Sequence, residues 1–330
     1  MKISVVVASW NGLQLLQPCI AALRQQTVDH ELVIVDNGSR DGTVAWIEEA
    51  VPTANCLALP ANRGFAGGYN AGIRAAGGDL IILLNNDTVA APDALAQLTT
   101  PFASDERLGA TSGVLVFAHR PTLIASAGIE VASDGVHRDV LATAPLTELP
   151  AEPVPIFGAS GGAVCYRRRA LDDVGLFAEP FFAYLEDADL AWRLRLRGWN
   201  TLLTPAVRIA HVYSATGVQG SPFKQRLLAR NRWWLLLRCW PRSLLLRCLP
   251  SILRYDLLAI IWAAAHRQSG MITGRLQAWS AWSRLSREHR TIQRQRLASL
   301  NELSSWLQPA PSIRATLAAT QALEEVLKQR

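Results

Sequence analysis

The chain has 330 residues, half of them hydrophobic, which suits one large domain or one domain with an appendage. Its formal net charge of +6 hides an asymmetry: residues 224–330 carry 18 basic and 5 acidic side chains, residues 1–223 carry 15 and 22, and 7 of the 11 Trp lie in the basic part. The five cysteines (Cys19, Cys56, Cys165, Cys239 and Cys248) have no metal or redox spacing and read as thiols of a reducing cytoplasm; no signal peptide shows, and no apolar run approaches the roughly 20 residues of a membrane span.

Residues 3–9 form a β-branched run that suits a strand covered on both faces. A helix is expected near 13–26, a second strand at 31–36, and a helix from Thr43 to about Ala50. A short strand near 55–59, a helix at 66–76 and a buried strand at 79–84 follow, and Pro92 sits where helices start. Alternating strands and helices with short links predict a parallel α/β sheet. Ligands of such sheets bind beyond the carboxyl ends of the strands. Those ends carry Ser9-Trp10-Asn11, Asp36-Asn37 and Asn85-Asn86-Asp87, three polar clusters on one rim.

Beyond residue 105 the pattern loosens into strands and turns, with a Pro-rich loop at 143–157 and a Gly-rich entry to a strand at 158–166. A helix is expected at 186–197, then strands near 201–204 and 206–210. Trp192 and Trp199 read as core. From 223 onward the pattern is helical.

The candidate chemistry rests on carboxylates at the rim and on the helix from Glu186. Asp87 with flanking amides can hold a hard divalent cation, which takes oxygen ligands and keeps waters and substrate phosphates in its shell; read alone, the triplet is equally a polar turn. On the helix, Glu186, Asp189 and Arg193 share one face, and Asp189 and Arg193 can pair at i,i+4. Asp187 points elsewhere and is free of that pair. Acids in a first helical turn are also favoured by the helix dipole.

Taken in order, several segments resemble the family 2 glycosyltransferases with a GT-A fold, and most nearly their bacterial rhamnosyltransferase-like members. They are Val5 to Asn11, Val33 to Ser39 with Asp41-Gly42-Thr43, Asn62 to Asn70, Leu83 to Asp87, Gly161-Gly162, and Glu186 to Leu190 with Arg193. The resemblance covers about residues 1–215. It implies a GT-A catalytic domain over 1–222, with a donor-nucleotide half (1–105) and an acceptor half (106–222), followed by a helical extension over 223–330.

The resemblance also implies roles. Asp36 accepts a hydrogen bond from the donor base, and Ser9, Asn11, Asn37, Asn62, Gly64, Asn70 and Asn86 line the nucleotide-diphosphate sugar. Asp87 binds the metal, Mg or Mn; Asn85 stands where the family often has a first acid. Asp187 is the general base with Glu186 beside it, Gly161 and Gly162 face the acceptor, and His211, as in some relatives, is a second metal ligand or a structural residue. The implied activity is inverting, metal-dependent transfer of a sugar, rhamnose first among the guesses, to a lipid-linked (polyprenyl-diphosphate) or nascent cell-surface polysaccharide acceptor. Alternatives are a UDP-sugar donor such as galactofuranose or glucose, or a nucleotide-sugar-binding protein without transferase activity. A nucleotidyltransferase is disfavoured, because Ser9-Trp10-Asn11-Gly12 is not its Gly-rich, Arg-containing loop.

In the basic part, Arg226, Arg230, Arg232, Arg238, Arg242, Arg247 and Arg254 punctuate a run with Trp233, Trp234, Trp240, Leu235–Leu237 and Leu244–Leu246. Such segments suit an interfacial helix on an anionic membrane, and the expected location is the cytoplasm or the inner face of the cell membrane. The alternative is an extension packed on the catalytic domain or on a second subunit. No nucleic-acid motif accompanies the charge, so no nucleic-acid partner is expected.

Overall fold

The structure is a computed structural model that describes residues 1–213 and 220–329. The first four apolar runs form β1 (Ile3–Ser9), β2 (Glu31–Asp36), β3 (Asn55–Ala58) and β4 (Leu80–Asn85), paired in parallel in the order β3-β2-β1-β4. Both faces of these strands are covered, so they need apolar residues at successive positions. Val5, Val7, Ile34 and Ile82 pack with Leu16, Ile20 and Leu23 of α1 (Leu13–Leu23) and Ile47 of α2 (Thr43–Ala50). Val6, Val33, Val35, Ile81 and Leu83 pack with Tyr69 and Ile73 of α3 (Gly64–Ala75).

The rest of the sheet is mixed. It contains β5 (Thr88–Ala90), β6 (Leu108–Phe117), β7 (Arg120–Ser126), β10 (Val154–Pro155), β11 (Ala163–Arg167) and β12 (Asn200–His211), in the order β10-β12-β6-β11-β4 with β5 on β12 and β7 on β6. β11 runs antiparallel to both β4 and β6, while β12 lies parallel to β6. The two strands expected at 201–204 and 206–210 are one strand with a register shift between Leu203 and Arg208, where Pro205 cannot donate to the ladder. A small second sheet joins β8 (Ile129–Ala132), β9 (His137–Asp139) and β13 (Leu307–Gln308). The helices between these strands are α4 (Ala94–Thr99), α5 (Arg168–Val174) and α6 (Glu186–Leu196).

The back of the chain supplies α7 (Pro222–Cys239), α8 (Arg242–Ala265), α9 (Ser269–Ala278), α10 (Trp282–Arg294), α11 (Leu300–Ser305) and α12 (Ile313–Lys328). Half of the run expected at a membrane interface is core instead. Trp234, Leu235, Leu236, Cys239, Trp240 and Leu244 are buried in one cluster with Phe181, Ala188, Trp192 and Leu196. The physical reason is that α7 carries apolar residues around most of its circumference, and a helix of that kind needs cover on several sides. At the seam, buried Asp189 pairs with Arg193 at 2.9 Å and with Arg238 of α7. α12 reaches back to the front half, where Val326, Leu323 and Leu327 pack on the cluster beneath α1 and α2.

Candidate active site

The parallel register brings the three polar clusters together as expected: Ser9 pairs with Asp36, and Ala8 with Asn85. Asn86 donates from Nδ2 to Ser9 Oγ at 3.0 Å, and both side chains are buried. Asn11, at φ 47°, accepts from the Arg40 amide at 2.8 Å and donates its own amide to Ser39 Oγ at 2.9 Å. Asp36 accepts from the Ser39 amide through both oxygens, at 3.3 and 3.1 Å. Asp36 therefore caps its turn as well as standing at the rim.

Asn37 fixes the next loop. Its Oδ1 accepts from the Arg63 amide at 2.9 Å and its Nδ2 donates to the Gly64 carbonyl at 2.9 Å, while Asn62 Oδ1 accepts from the Gly64 amide at 2.8 Å. Gly64 has φ +69°, and a Cβ there would lie 2.3 Å from the Phe182 carbonyl oxygen, so only glycine fits. Asn70 is already engaged. Its Nδ2 donates to Phe177 O and to Glu179 Oε1, and its Oδ1 accepts from the Phe177 amide at 3.0 Å. These bonds tie α3 to the segment before α6 and occupy both amide hydrogens, while Oδ1 keeps a second lone pair.

Asp87 lies in the turn between β4 and β5. β5 pairs with β12 so that Thr88 faces His211, and this places His211 Nε2 3.1 Å from Asp87 Oδ1. The same Nε2 lies 3.3 Å from Asn85 Nδ2, so it can donate to Asp87 or accept from Asn85, but not both at once. Its Nδ1 is buried without a partner among the described residues. Asn85, where the family often has an acid, is a strut: Tyr69 Oη donates to Leu84 O at 2.8 Å and approaches Asn85 Oδ1 at 3.2 Å. No group of three or more His, Cys, Asp or Glu side chains poised for a metal occurs among the described residues. One carboxylate and one imidazole fit a divalent cation that completes its shell with diphosphate oxygens and water.

α6 opens on Glu186 and Asp187. Asp187 Oδ2 accepts from the Gly161 amide at 3.1 Å and Oδ1 from the Ala188 amide at 2.8 Å, which joins the glycine loop to the carboxylate. A Cβ on Gly161 would meet the Phe65 ring at 2.8 Å, and Gly162 O accepts from the Asn85 amide at 3.1 Å, so this loop bridges α6, α3 and the rim. Burial raises the Asp187 carboxyl above its ordinary value, and the two amides pull it back. Glu186 is 4 % exposed and its Oε2 has no partner among the described residues. Burial first, and the Asp187 charge second, push it well above the usual carboxylate range. Asp187 keeps partial exposure.

Residues 4–175 match the family described as Glycosyl transferase family 2, which covers more than half of the chain. The chain belongs to glycosyl transferase family 2. Among curated relatives, an uncharacterized glycosyltransferase of Bacillus subtilis (strain 168) is 33% identical over 112 residues, 33% of this chain and 29% of that one. An N-acetylglucosaminyl-diphospho-decaprenol L-rhamnosyltransferase of Mycobacterium tuberculosis is 28% identical over 201 residues, 54% of this chain and 66% of that protein. The matches thus span between about a third and two thirds of these relatives' own lengths. Among solved structures, a mannosyltransferase of Pyrobaculum calidifontis in complex with GDP-Man and Mn2+ is 17% identical with a TM-score of 0.57, covering 99% of this chain and 83% of that one. GalNAc-T7 with UDP, GalNAc and Mn2+ is 18% identical with a TM-score of 0.62, covering 73% and 48%. At these identities the likeness shows the fold, and the expected GT-A architecture is borne out.

Two residues at this family 2 site lie outside every segment that carried the resemblance. Asp139, on β9, is pushed up to about 6 by burial; a hydrogen bond with the Ser126 side chain pulls it back, the Asp187 charge adds to the rise, and His211 and Lys224 oppose it. The charged groups that act on it are 48 to 85 residues away in the chain, so no local pattern marks it. Asn231 of α7 binds the turn that leads into α6, and an Asn amid Arg, Trp and Leu gives no signal of that kind.

Proposed function

We propose that this chain is an inverting glycosyltransferase that moves a sugar from a nucleotide-diphosphate donor to a lipid-linked or polysaccharide acceptor hydroxyl. The observation that carries the reading is the Glu186–Asp187 pair, with one carboxyl sealed in and raised well above the ordinary range by burial and the other partly exposed and held by the Gly161 amide. The acceptor oxygen forms a bond to the anomeric carbon, the bond from that carbon to the diphosphate oxygen breaks, and the acceptor's proton passes to Asp187. The electron pair leaves with the nucleoside diphosphate. Ser9, Asn11, Asp36, Asn62, Gly64 and Asn86 line the donor side, with Asn37 fixing the loop, and Gly161 and Gly162 line the acceptor side.

Asp87 and His211 would hold a divalent cation, Mg or Mn, whose chemistry when bound is neutralisation of charge on the departing diphosphate. The solved neighbours with Mn2+ support this. The mycobacterial relative supports a polyprenyl-diphosphate-linked acceptor and rhamnose as the sugar. No helix among the described residues is long and apolar enough to cross a membrane, and we place contact with the inner leaflet on α8 rather than on α7.

The test is a thermal-shift screen of dTDP-, UDP- and GDP-sugars with and without Mn or Mg. A ligand that binds only the folded state raises the melting temperature in step with its concentration. One nucleotide is expected to stand out, and only with the metal present. Stabilisation equal with and without metal removes the role given to Asp87, and none by any nucleotide sugar removes the reading as a whole.

A further inference from the structure

The turn from Pro180 to Leu185 launches α6 and so decides where Asp187 stands. Its backbone is strained: Phe182, Tyr184 and Leu185 have φ of 67°, 69° and 66°, and none is glycine. Such a conformation persists only where the surroundings impose it. α6 also begins without a side-chain cap at Leu185.

The imposing element is α7, at the start of the extension. Asn231 is fully buried and its Nδ2 donates to the carbonyls of Phe181, Ala183 and Tyr184 at 3.0, 2.9 and 2.8 Å. Two amide hydrogens are shared among three carbonyls of one turn. Arg230 donates from Nη2 to the carbonyls of Pro180 and Phe181 at 3.2 and 3.0 Å, and from Nε to Asn231 Oδ1 at 2.9 Å, which fixes the orientation of the amide. The turn also meets the start of α3, where the Ala66 amide donates to Phe182 O at 3.1 Å. This buried amide, with carbonyl partners 47 to 50 residues away, supplies donors to main-chain carbonyls that an apolar residue of the same size would leave without them.

We propose that Asn231, oriented by Arg230, is a positioning residue for the transfer step: it holds the left-handed turn that aims Asp187 at the acceptor oxygen. The extension is on this view part of the catalytic apparatus. The proposal rests on the reading of Asp187 as the base, and the test separates the two.

The experiment uses the full chain with Mn2+ and the nucleotide sugar that binds best, and reads nucleoside diphosphate release with water as the acceptor. Asn231→Ala is expected to leave the donor KM within about threefold of wild type while kcat falls about 10- to 100-fold, the scale set by a small misplacement of a reacting group. The acidic limb of its pH–rate profile should move, because Asp187 has shifted against Gly161. Adding Leu185→Gly, which adopts positive φ without strain, should recover part of the lost kcat. If Asn231→Ala does not fold, Asn231→Ser, which retains one donor, is read by the same criteria. A kcat within about threefold of wild type, or a loss carried wholly by KM, overturns the proposal. Asp187→Asn is measured alongside: if it too keeps full turnover the base assignment has failed, whereas an inactive Asp187→Asn beside a fully active Asn231→Ala sinks the positioning role alone.

Discussion

Glu186 and Asp187 adjoin in sequence but differ in surroundings, and that difference sets their behaviour with pH. Glu186 is sealed in, and burial holds its carboxyl well above the ordinary range. A carboxyl with a raised folded-state pKa favours the protonated fold. Its contribution to stability is full below the unfolded value of about 4.3 and is lost as pH rises toward the folded value. Glu186→Gln keeps the shape and removes that loss. Thermal melts should therefore show the variant more stable than wild type at pH 7.5, with the gap closing toward pH 4. A variant less stable at pH 7.5 contradicts the assignment of Glu186 as protonated. At Asp187 the same sign governs rate instead of stability. The base must be ionised, so turnover falls as pH drops through a pKa raised above the ordinary carboxylate value.

At the scale of elements, β1 to β4 and α1 to α3 were legible because runs covered on both faces leave an unmistakable apolar record, and their polar ends therefore shared a rim. The Asn70 tie to Phe177 and the Asn231 bonds to the turn before α6 were not legible, since their carbonyl partners are 107 and 47 to 50 residues away. The basic run was half legible. α7 looked interfacial but is core, whereas α8 turns Leu244, Cys248 and Ile252 inward and exposes Leu246, Leu253, Leu257 and Ile261 together with Arg247 and Arg254. The one acid of α8, Asp256, points inward to Arg232 and Arg275 at 2.9 and 2.7 Å. The outward face thus combines apolar and cationic groups without an opposing charge, as an anionic bilayer requires. Co-sedimentation with phosphatidylglycerol vesicles should be clear for the wild type and largely lost for Leu253→Asp/Leu257→Asp, while the melting temperature is retained. Equal sedimentation of both proteins, or of neither, removes α8 from the membrane account.

Across the whole molecule, the acidic front and basic back visible in the composition are joined by shared burial rather than tethered. One apolar cluster runs from Phe181 and Trp192 through Trp234 to Leu285 and Leu303, and the Asp189 carboxylate is neutralised by arginines from both parts. The proposed site accordingly draws on the sheet rim, on β12 for His211, on the glycine loop that binds Asp187, and on α7 for the turn that precedes α6. The proposed reaction turns on one carboxylate, Asp187. The most direct measurement is the turnover of nucleotide sugar by Asp187→Asn against wild type at saturating donor and metal. The account predicts a fall of about 10²- to 10⁴-fold, the usual contribution of a positioned base, with donor affinity unchanged; turnover within a few-fold of wild type contradicts it.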